Sequence, residues 1–106
     1  MTEYVGLRTR LRPGTELAYK QAHDAIWPEL LEAQRKAGIK RWIIFRDGLD
    51  LFHSVEADNF EAAIATLATD PVDQRWQAEM AKFALPADGE ERPASTRLEL
   101  VYNRAP

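Results

Sequence analysis

Residues 39–56, IKRWIIFRDGLDLFHSVE, decide the fold class of this 106-residue chain. Residues 39–46 are rich in β-branched and aromatic side chains, and residues 51–56 form a second, similar run. Asp47-Gly48 lies between the two runs, and this dipeptide favours the tight turn of a β-hairpin. We therefore predict two antiparallel strands near the middle of the sequence.

A strand and a helical region precede this hairpin. Residues 3–12 alternate apolar and polar side chains, as a half-buried strand does. Residues 13–14, Pro-Gly, end the strand, and Thr15 is placed to cap a helix over residues 16–37. Because proline lacks the N–H of a helix interior, we expect a kink or break at Pro28.

A second helical region follows the hairpin. Asp58 or Asn59 can cap a helix over residues 60–69. Asp70-Pro71 then starts another helix over residues 72–83, with proline at the favourable first position. Residues 86–95 form a polar loop that contains proline and glycine.

The order of elements predicts the architecture. Residues 97–102 alternate again and form the last strand, so the order is β-α-β-β-α-β. This is the ferredoxin-like, α+β arrangement, in which helices cover one face of a four-stranded antiparallel sheet. A chain this short usually buries the other face by dimerising, so we expect a homodimer of one domain, residues 1–106.

Composition restricts the partners. The net charge of −3 argues against a phosphate-binding surface, so we expect no nucleic-acid partner. Arg8, Arg10 and Arg12 alternate with apolar residues, which is typical of the solvated face of a strand, with polyanion binding as the alternative. No apolar run approaches the roughly 20 residues of a membrane helix, and no apolar h-region of a signal peptide is visible. We expect a cytoplasmic protein without a membrane partner.

Several kinds of chemistry have no support in the sequence. The chain has no cysteine, which excludes disulfides and thiol nucleophiles. It also has no HExxH metal motif, no G-x-G-x-x-G, no P-loop and no G-x-S-x-G elbow. We therefore expect no metal and no organic cofactor. Cofactor-free chemistry, or binding in an aromatic-lined pocket, remains.

Two histidines are the side chains that ordinarily titrate near neutral pH. His23 follows Tyr19 by one helical turn and lies on an inward-facing stripe, next to Trp27. It is a candidate acid or base, with a hydrogen-bonded core histidine as the alternative. His53 can face either side of its strand, and we expect it to be a packed or surface imidazole. The tryptophans, taken alone, are typical core aromatics.

Two segments together resemble the L-rhamnose mutarotase family. Residues 19–30, YKQAHDAIWPEL, resemble that family's Y-x3-H-x2-IWPEL stretch. Residues 70–80, DPVDQRWQAEM, resemble its D-x3-QRWW-x2-M block, and a strand-turn-strand segment beginning at Gly38 lies between them. The likeness therefore spans nearly the whole chain.

The resemblance implies a ferredoxin-like homodimer of the dimeric α/β-barrel type. It implies an isomerase that interconverts the α and β anomers of L-rhamnose without a cofactor. Carried over by position, His23 and Tyr19 are the catalytic residues and Trp76 lines the sugar site. Asp70 also occupies a family position, where a helix cap is an equal alternative.

Further candidate sugar contacts are Trp27, beside the catalytic helix segment, and Arg41 and Trp42 in the first hairpin strand. The family commonly has Asn-Tyr where this chain has Arg41-Trp42, leucine at Arg46 and a second tryptophan at Gln77. These departures leave an L-fucose mutarotase of the same type open. A cofactor-free monooxygenase or isomerase, and a non-enzymatic sugar-binding module, are further alternatives on this fold.

Overall fold

The computed structural model describes residues 1–86 and 95–104. Its elements, in chain order, are β1 (Glu3–Arg10), α1 (Glu16–Asp24), α2 (Pro28–Lys36), β2 (Ile39–Asp47), β3 (Asp50–Ala57), α3 (Phe60–Ala68), α4 (Pro71–Met80) and β4 (Thr96–Leu98). Each helical region expected from the sequence is thus a pair of helices.

The four strands form one antiparallel sheet in the order β2-β3-β1-β4. This order confirms the ferredoxin-like, α+β prediction. The predicted hairpin is the β2–β3 pair, in which Asp47 lies opposite Asp50. Gly48 in the connecting turn has a φ of +60°, a conformation that costs glycine little because it has no Cβ.

The break predicted at Pro28 is confirmed. α1 ends at Asp24, and α2 begins with Pro28. Trp27 has an extended backbone, as the residue before a proline prefers, because helical geometry would bring it against the proline ring. The first helical region is therefore two separate helices, in which Tyr19 is the buried residue of α1 and Leu30 that of α2.

One helix cap and one helix end differ from the sequence prediction. The Thr15 side chain makes no capping hydrogen bond, because its hydroxyl instead donates to the carbonyl oxygens of Arg12 and Phe83, at 2.7 and 3.1 Å. α4 ends at Met80 rather than Phe83. There the chain turns so that Ala84 can form a β-bridge with Leu11, and this tertiary contact overrides the helical pattern.

The last strand is shorter than predicted. It spans Thr96–Leu98 instead of residues 97–102, and its pairing with β1 ends where Gly6 lies opposite Leu98. The following apolar side chains are exposed, with Val101 at 86%. Alternation predicts a strand only where a neighbouring strand is available, and beyond Leu98 the chain leaves β1. Most of the predicted loop over residues 86–95 lies outside the described residues.

Helices cover one face of the sheet, as predicted. The side chains directed to the helices form two apolar clusters, one around Val55 and Phe60 and one around Leu11 and Leu30. The opposite sheet face exposes Tyr4, Phe45, Phe52 and Leu98. In the described part of the chain, no helix has the length and apolar character needed to cross a bilayer.

Candidate active site

A cavity of about 1060 Å³ opens on the helix-covered side of the sheet. Strands β1, β2 and β3 contribute to its walls, together with helices α1, α2, α3 and α4. Its polar and aromatic lining includes Thr9, Tyr19, His23, Trp42, His53, Asp73, Trp76 and Gln77. Most of its remaining wall is aliphatic, so it can exclude water from a small ligand.

Helix α1 places Tyr19 and His23 side by side in this wall. They are four residues apart on one helical face, and their ring centroids lie 4.3 Å apart. The Nδ1 atom of His23 lies 2.9 Å from the carbonyl oxygen of Tyr19. Because a carbonyl oxygen only accepts, Nδ1 carries a proton and donates it, which leaves Nε2 as the free nitrogen of the neutral ring.

The phenol of Tyr19 is buried among apolar side chains. Its relative exposure is 8%, and burial raises the pKa of the phenol far above its ordinary value, since the phenolate would lose its hydration. Tyr19 therefore keeps its proton at neutral pH. The site has a neutral hydroxyl donor beside an imidazole with a free nitrogen.

Trp76 packs against this pair from α4. Its ring meets His23 edge to face with centroids 5.2 Å apart, and Trp27 packs on it at the same separation. Trp76 lines the cavity, whereas Trp27 is not part of its lining. The structure thus brings Trp76 together with Tyr19 and His23, and places Trp27 behind Trp76 as a packing partner.

His53 and Trp42 lie on the sheet side of the same cavity. His53 faces the helices with Leu51 and Val55, the side that strand alternation alone left open. The Nε1–H of Trp42 donates to His53 Nδ1 at 3.1 Å, and Thr9 Oγ1 lies 2.9 Å from His53 Nε2. Burial lowers the pKa of His53 to about 4, with repulsion from His23 as a second cause.

Asp70 lies elsewhere. Its carboxylate accepts a hydrogen bond from Val72 N at 2.9 Å at the start of α4, and it is not part of the cavity lining. The structure therefore supports the helix-cap alternative for Asp70. Asp73, one turn later, lines the cavity instead and is 8% exposed. Burial raises the pKa of the Asp73 carboxyl; the nearby Gln77 amide opposes this increase and the charge of Asp70 adds to it.

The four positions that depart from the family pattern differ in placement. Trp42 and Gln77 line the cavity, whereas Arg41 borders it and lies opposite Glu56, so that its side chain faces away from the helices. The Arg41 guanidinium also lies 3.9 Å from the Glu56 carboxylate, and both side chains reach solvent. Arg46 is directed away, because its guanidinium donates to the Gly48 carbonyl oxygen at 2.8 Å.

Sequence reasoning did not select Thr9 or Asp73. Thr9 alternates in phase with Leu7 and Leu11, which was a signal that its hydroxyl faces the helices. Asp73 precedes Trp76 by three residues, which puts both on one face of α4. Among residues 1–86 and 95–104, no group of three or more His, Asp or Glu side chains is arranged to hold a metal ion.

Comparison with known proteins adds an independent result. A family model described as L-rhamnose mutarotase matches residues 4–104. An L-rhamnose mutarotase of Burkholderia orbicola is 40% identical over 103 residues, which cover 95% of this chain and 97% of that relative. One from Burkholderia ambifaria is 41% identical over 104 residues, with the same two coverages.

Solved structures agree with this. The crystal structure of an L-rhamnose mutarotase from Formosa agariphila matches with a TM-score of 0.82 and 27% identity, over 97% of this chain and 99% of that chain. Tetracenomycin F2 cyclase from Streptomyces glaucescens matches with a TM-score of 0.65 and 20% identity, over 98% of each chain. At that identity, the cyclase shares the fold alone.

Proposed function

The chain belongs to the L-rhamnose mutarotase family, and we propose that it is an isomerase that interconverts the α and β anomers of L-rhamnose. The observation that carries this proposal is the Tyr19–His23 pair, which lies against Trp76 in the cavity wall of a chain that matches the family over residues 4–104. These are the residues that the resemblance assigns to catalysis and sugar binding.

Mutarotation moves one proton between two oxygens on the same carbon. The anomeric hydroxyl loses its proton, the bond from C1 to the ring oxygen breaks, and the ring oxygen gains a proton. The open-chain aldehyde then rotates about its C1–C2 bond and closes on the opposite face by the reverse steps. A single base that reaches both oxygens can carry the proton from one to the other.

His23 is suited to this transfer. Its Nδ1–H is fixed by the Tyr19 carbonyl oxygen, so Nε2 is the nitrogen that accepts the anomeric proton and returns it to the ring oxygen. No proton is gained or lost overall. A positioned acid or base of this kind contributes about 10²–10⁴-fold to the rate.

Tyr19 assists without losing its proton. Burial disfavours the phenolate, so the neutral hydroxyl donates a hydrogen bond to the sugar oxygen on which negative charge develops. Trp76 offers an aromatic surface to the C–H face of the sugar, and the aliphatic lining suits the methyl group of a 6-deoxy hexose. The proposed reaction uses no metal or organic cofactor.

A second candidate sugar is L-fucose. Two of the four positions that depart from the rhamnose-mutarotase pattern, Trp42 and Gln77, present their side chains to the cavity. Side chains in these positions can alter which sugar hydroxyls are bonded. A site that bonds a hydroxyl strongly rejects a sugar that does not present it there, because the polar group of the site is then left unpaired. The reaction is the same for both sugars.

We also propose that the protein acts as a homodimer. The sheet face opposite the helices exposes Tyr4, Phe45, Phe52 and Leu98 in the protomer, an apolar surface suited to a second copy. A stable interface of this kind buries at least about 1,200 Å² in total. The proposal includes a cytoplasmic location, which fits a cysteine-free chain of ordinary globular composition.

Exchange NMR of the anomeric protons tests the proposed function. Addition of the protein to L-rhamnose should speed exchange between the α and β signals, with a rate proportional to protein concentration. L-fucose and control sugars, measured in parallel, establish the preferred substrate. A rate equal to that of buffer for every sugar contradicts the proposal.

A further inference from the structure

A directed chain of hydrogen bonds runs from Trp42 through His53 to Thr9. The indole Nε1–H can only donate, so the His53 Nδ1 atom that receives it at 3.1 Å must hold a lone pair. The proton of the neutral imidazole is therefore on Nε2. Since Thr9 Oγ1 lies 2.9 Å from Nε2, the Thr9 oxygen accepts that proton.

The proton of the Thr9 hydroxyl is consequently available to another acceptor. Among residues 1–86 and 95–104, the Thr9 side chain makes one hydrogen bond, and its partner is His53. Thr9 lies on the helix-facing side of β1 and lines the same cavity as Tyr19 and His23. The Thr9 hydroxyl, the last group in this series of hydrogen bonds, thus lies at the space that a ligand would occupy.

We propose that the Thr9 hydroxyl donates a hydrogen bond to a ring hydroxyl of the sugar, and that His53 and Trp42 are positioning residues that hold this donor in place. The inference rests on the proposed function and adds a specificity contact to it. Thr9 touches the substrate and His53 acts through Thr9, whereas Trp42 acts on Thr9 through His53 and also lines the cavity itself.

The direction of the hydrogen bonds from Trp42 through His53 to Thr9 is maintained at neutral pH. Burial keeps His53 neutral at neutral pH, and the nearby His23 adds to the cost of a positive charge. A protonated His53 would lose the acceptor that the Trp42 indole needs. The Trp42 contact therefore selects one tautomer, and that tautomer leaves Thr9 as a donor to the ligand.

Thr9 and His23 engage the sugar from different elements. His23 and Tyr19 project from α1, whereas Thr9 and His53 project from the central strands β1 and β3. A sugar that reacts at His23 through its anomeric carbon can therefore present a different hydroxyl to Thr9. The Thr9 contact is expected to affect KM and sugar preference more than kcat, because it is not directed at the reacting oxygens.

The first test measures the tautomer of His53 in the unmodified protein. Long-range ¹H–¹⁵N NMR distinguishes a ring protonated at Nε2 from one protonated at Nδ1. We expect the Nε2–H form of His53 at pH 7, and a mixture of tautomers in Trp42→Phe, which removes the indole N–H. A wild-type ring protonated at Nδ1, or a cationic one, overturns the proposal without any variant.

The second test compares variants of Thr9 in sugar exchange. Thr9→Val keeps the shape and removes the hydroxyl, and we expect KM to rise about tenfold, with kcat changed less than threefold. Thr9→Ser retains the donor and should recover most of the lost affinity. If the unpaired His53 Nε2–H destabilises Thr9→Val, Thr9→Ala replaces it, because the smaller side chain leaves room for a water molecule to accept that proton; the expected KM effect is the same.

Deoxy analogues of the preferred sugar identify the contact. Among the analogues that lack the hydroxyl at C2, C3 or C4, one should bind wild type and Thr9→Val equally. Equal sensitivity of all three analogues to Thr9→Val, or a KM for L-rhamnose within twofold of wild type, overturns the Thr9 contact while the proposed function stands. If the wild-type protein exchanges no sugar, the proposed function and the sugar contact both fail, even if His53 has the expected tautomer.

Discussion

The rings of Tyr19 and His23 lie 4.3 Å apart between centroids, with an angle of 42° between their planes. One helical turn produces this pairing, and the Tyr19 carbonyl oxygen holds the His23 Nδ1–H. Tyr19 therefore acts on the site twice. Its main-chain carbonyl oxygen orients the imidazole. Its buried hydroxyl stays protonated and can donate a hydrogen bond to a ligand.

Removal of the Tyr19 hydroxyl should slow the reaction without unfolding the protein. In Tyr19→Phe the ring still fills its place in the core and the main-chain contact with His23 persists. We expect a loss in kcat of about tenfold, smaller than the roughly 10²–10³-fold effect of an oxyanion-hole donor, because Tyr19 assists His23 and does not carry the proton. Exchange NMR measures the rate, and Tyr102→Phe, at a residue 77% exposed, is the matched control. Equal rates for the two variants would show that the hydroxyl has no role.

His53 should make stability depend on pH. Its pKa is about 4 in the folded protein and 6.5 in the unfolded chain, so the unfolded chain takes up a proton first as the pH falls. The contribution is fully present above pH 6.5 and is lost as the pH decreases towards 4. Between pH 7 and 5, the free energy of unfolding should decrease by about 2 kcal/mol from this group.

Urea unfolding at several pH values measures this decrease. His53→Phe removes the titrating ring and should flatten the pH profile over that range, whatever its overall stability. His23→Ala leaves His53 in place and should keep most of the slope. Identical slopes in wild type and His53→Phe would contradict the buried, neutral state of His53.

Dimerisation is expected to depend on the open sheet face. Phe52 lies on the inner strand β3, on the face away from the helices, and is 37% exposed in the protomer. A charge at this position would be buried without a partner in a dimer, so Phe52→Glu should give a monomeric mass by light scattering at micromolar concentration. Leu17→Glu, on the exposed side of α1, should remain dimeric. A monomeric wild-type protein contradicts the assembly proposal.

Much of this fold could be predicted because local chemistry and tertiary structure agree. The hairpin turn at Gly48 and the helix break at Pro28 depend on backbone preferences of glycine and proline that neighbours rarely override. The end of β4 at Leu98 could not be predicted, because strand length depends on a partner that the alternation pattern does not include.

The site was predictable to the extent that it lies on one helix. The Tyr19–His23 pair follows from helical spacing alone. The role of His53 could not be predicted, since a strand residue faces one of two sides and its partners Thr9 and Trp42 come from two other strands. A role for Asp73 could not be predicted, because a carboxylate in the first turn of a helix ordinarily interacts with the positive end of the helix dipole.

Residue 77 should influence sugar preference. Gln77 lines the cavity where the family commonly has a second tryptophan, whereas Arg46, another departure, bonds to the Gly48 carbonyl oxygen away from it. Gln77→Trp should change the ratio of kcat/KM for L-rhamnose over L-fucose by about tenfold, because an amide that can bond a sugar hydroxyl is replaced by an aromatic surface. Arg46→Leu should leave the ratio unchanged. If the two variants behave alike, residue 77 does not contact the sugar.

Anomer exchange by His23→Ala tests most directly whether His23 transfers the anomeric proton, as we propose. The imidazole is partly exposed in the cavity wall, so the variant should fold, which circular dichroism verifies. We predict that exchange of the preferred sugar slows by about 10²-fold or more, the usual contribution of one positioned acid or base. Gln21→Ala, an exposed change on the same helix, should exchange at the wild-type rate. A folded His23→Ala that exchanges the sugar as fast as wild type would contradict the role of His23 in proton transfer.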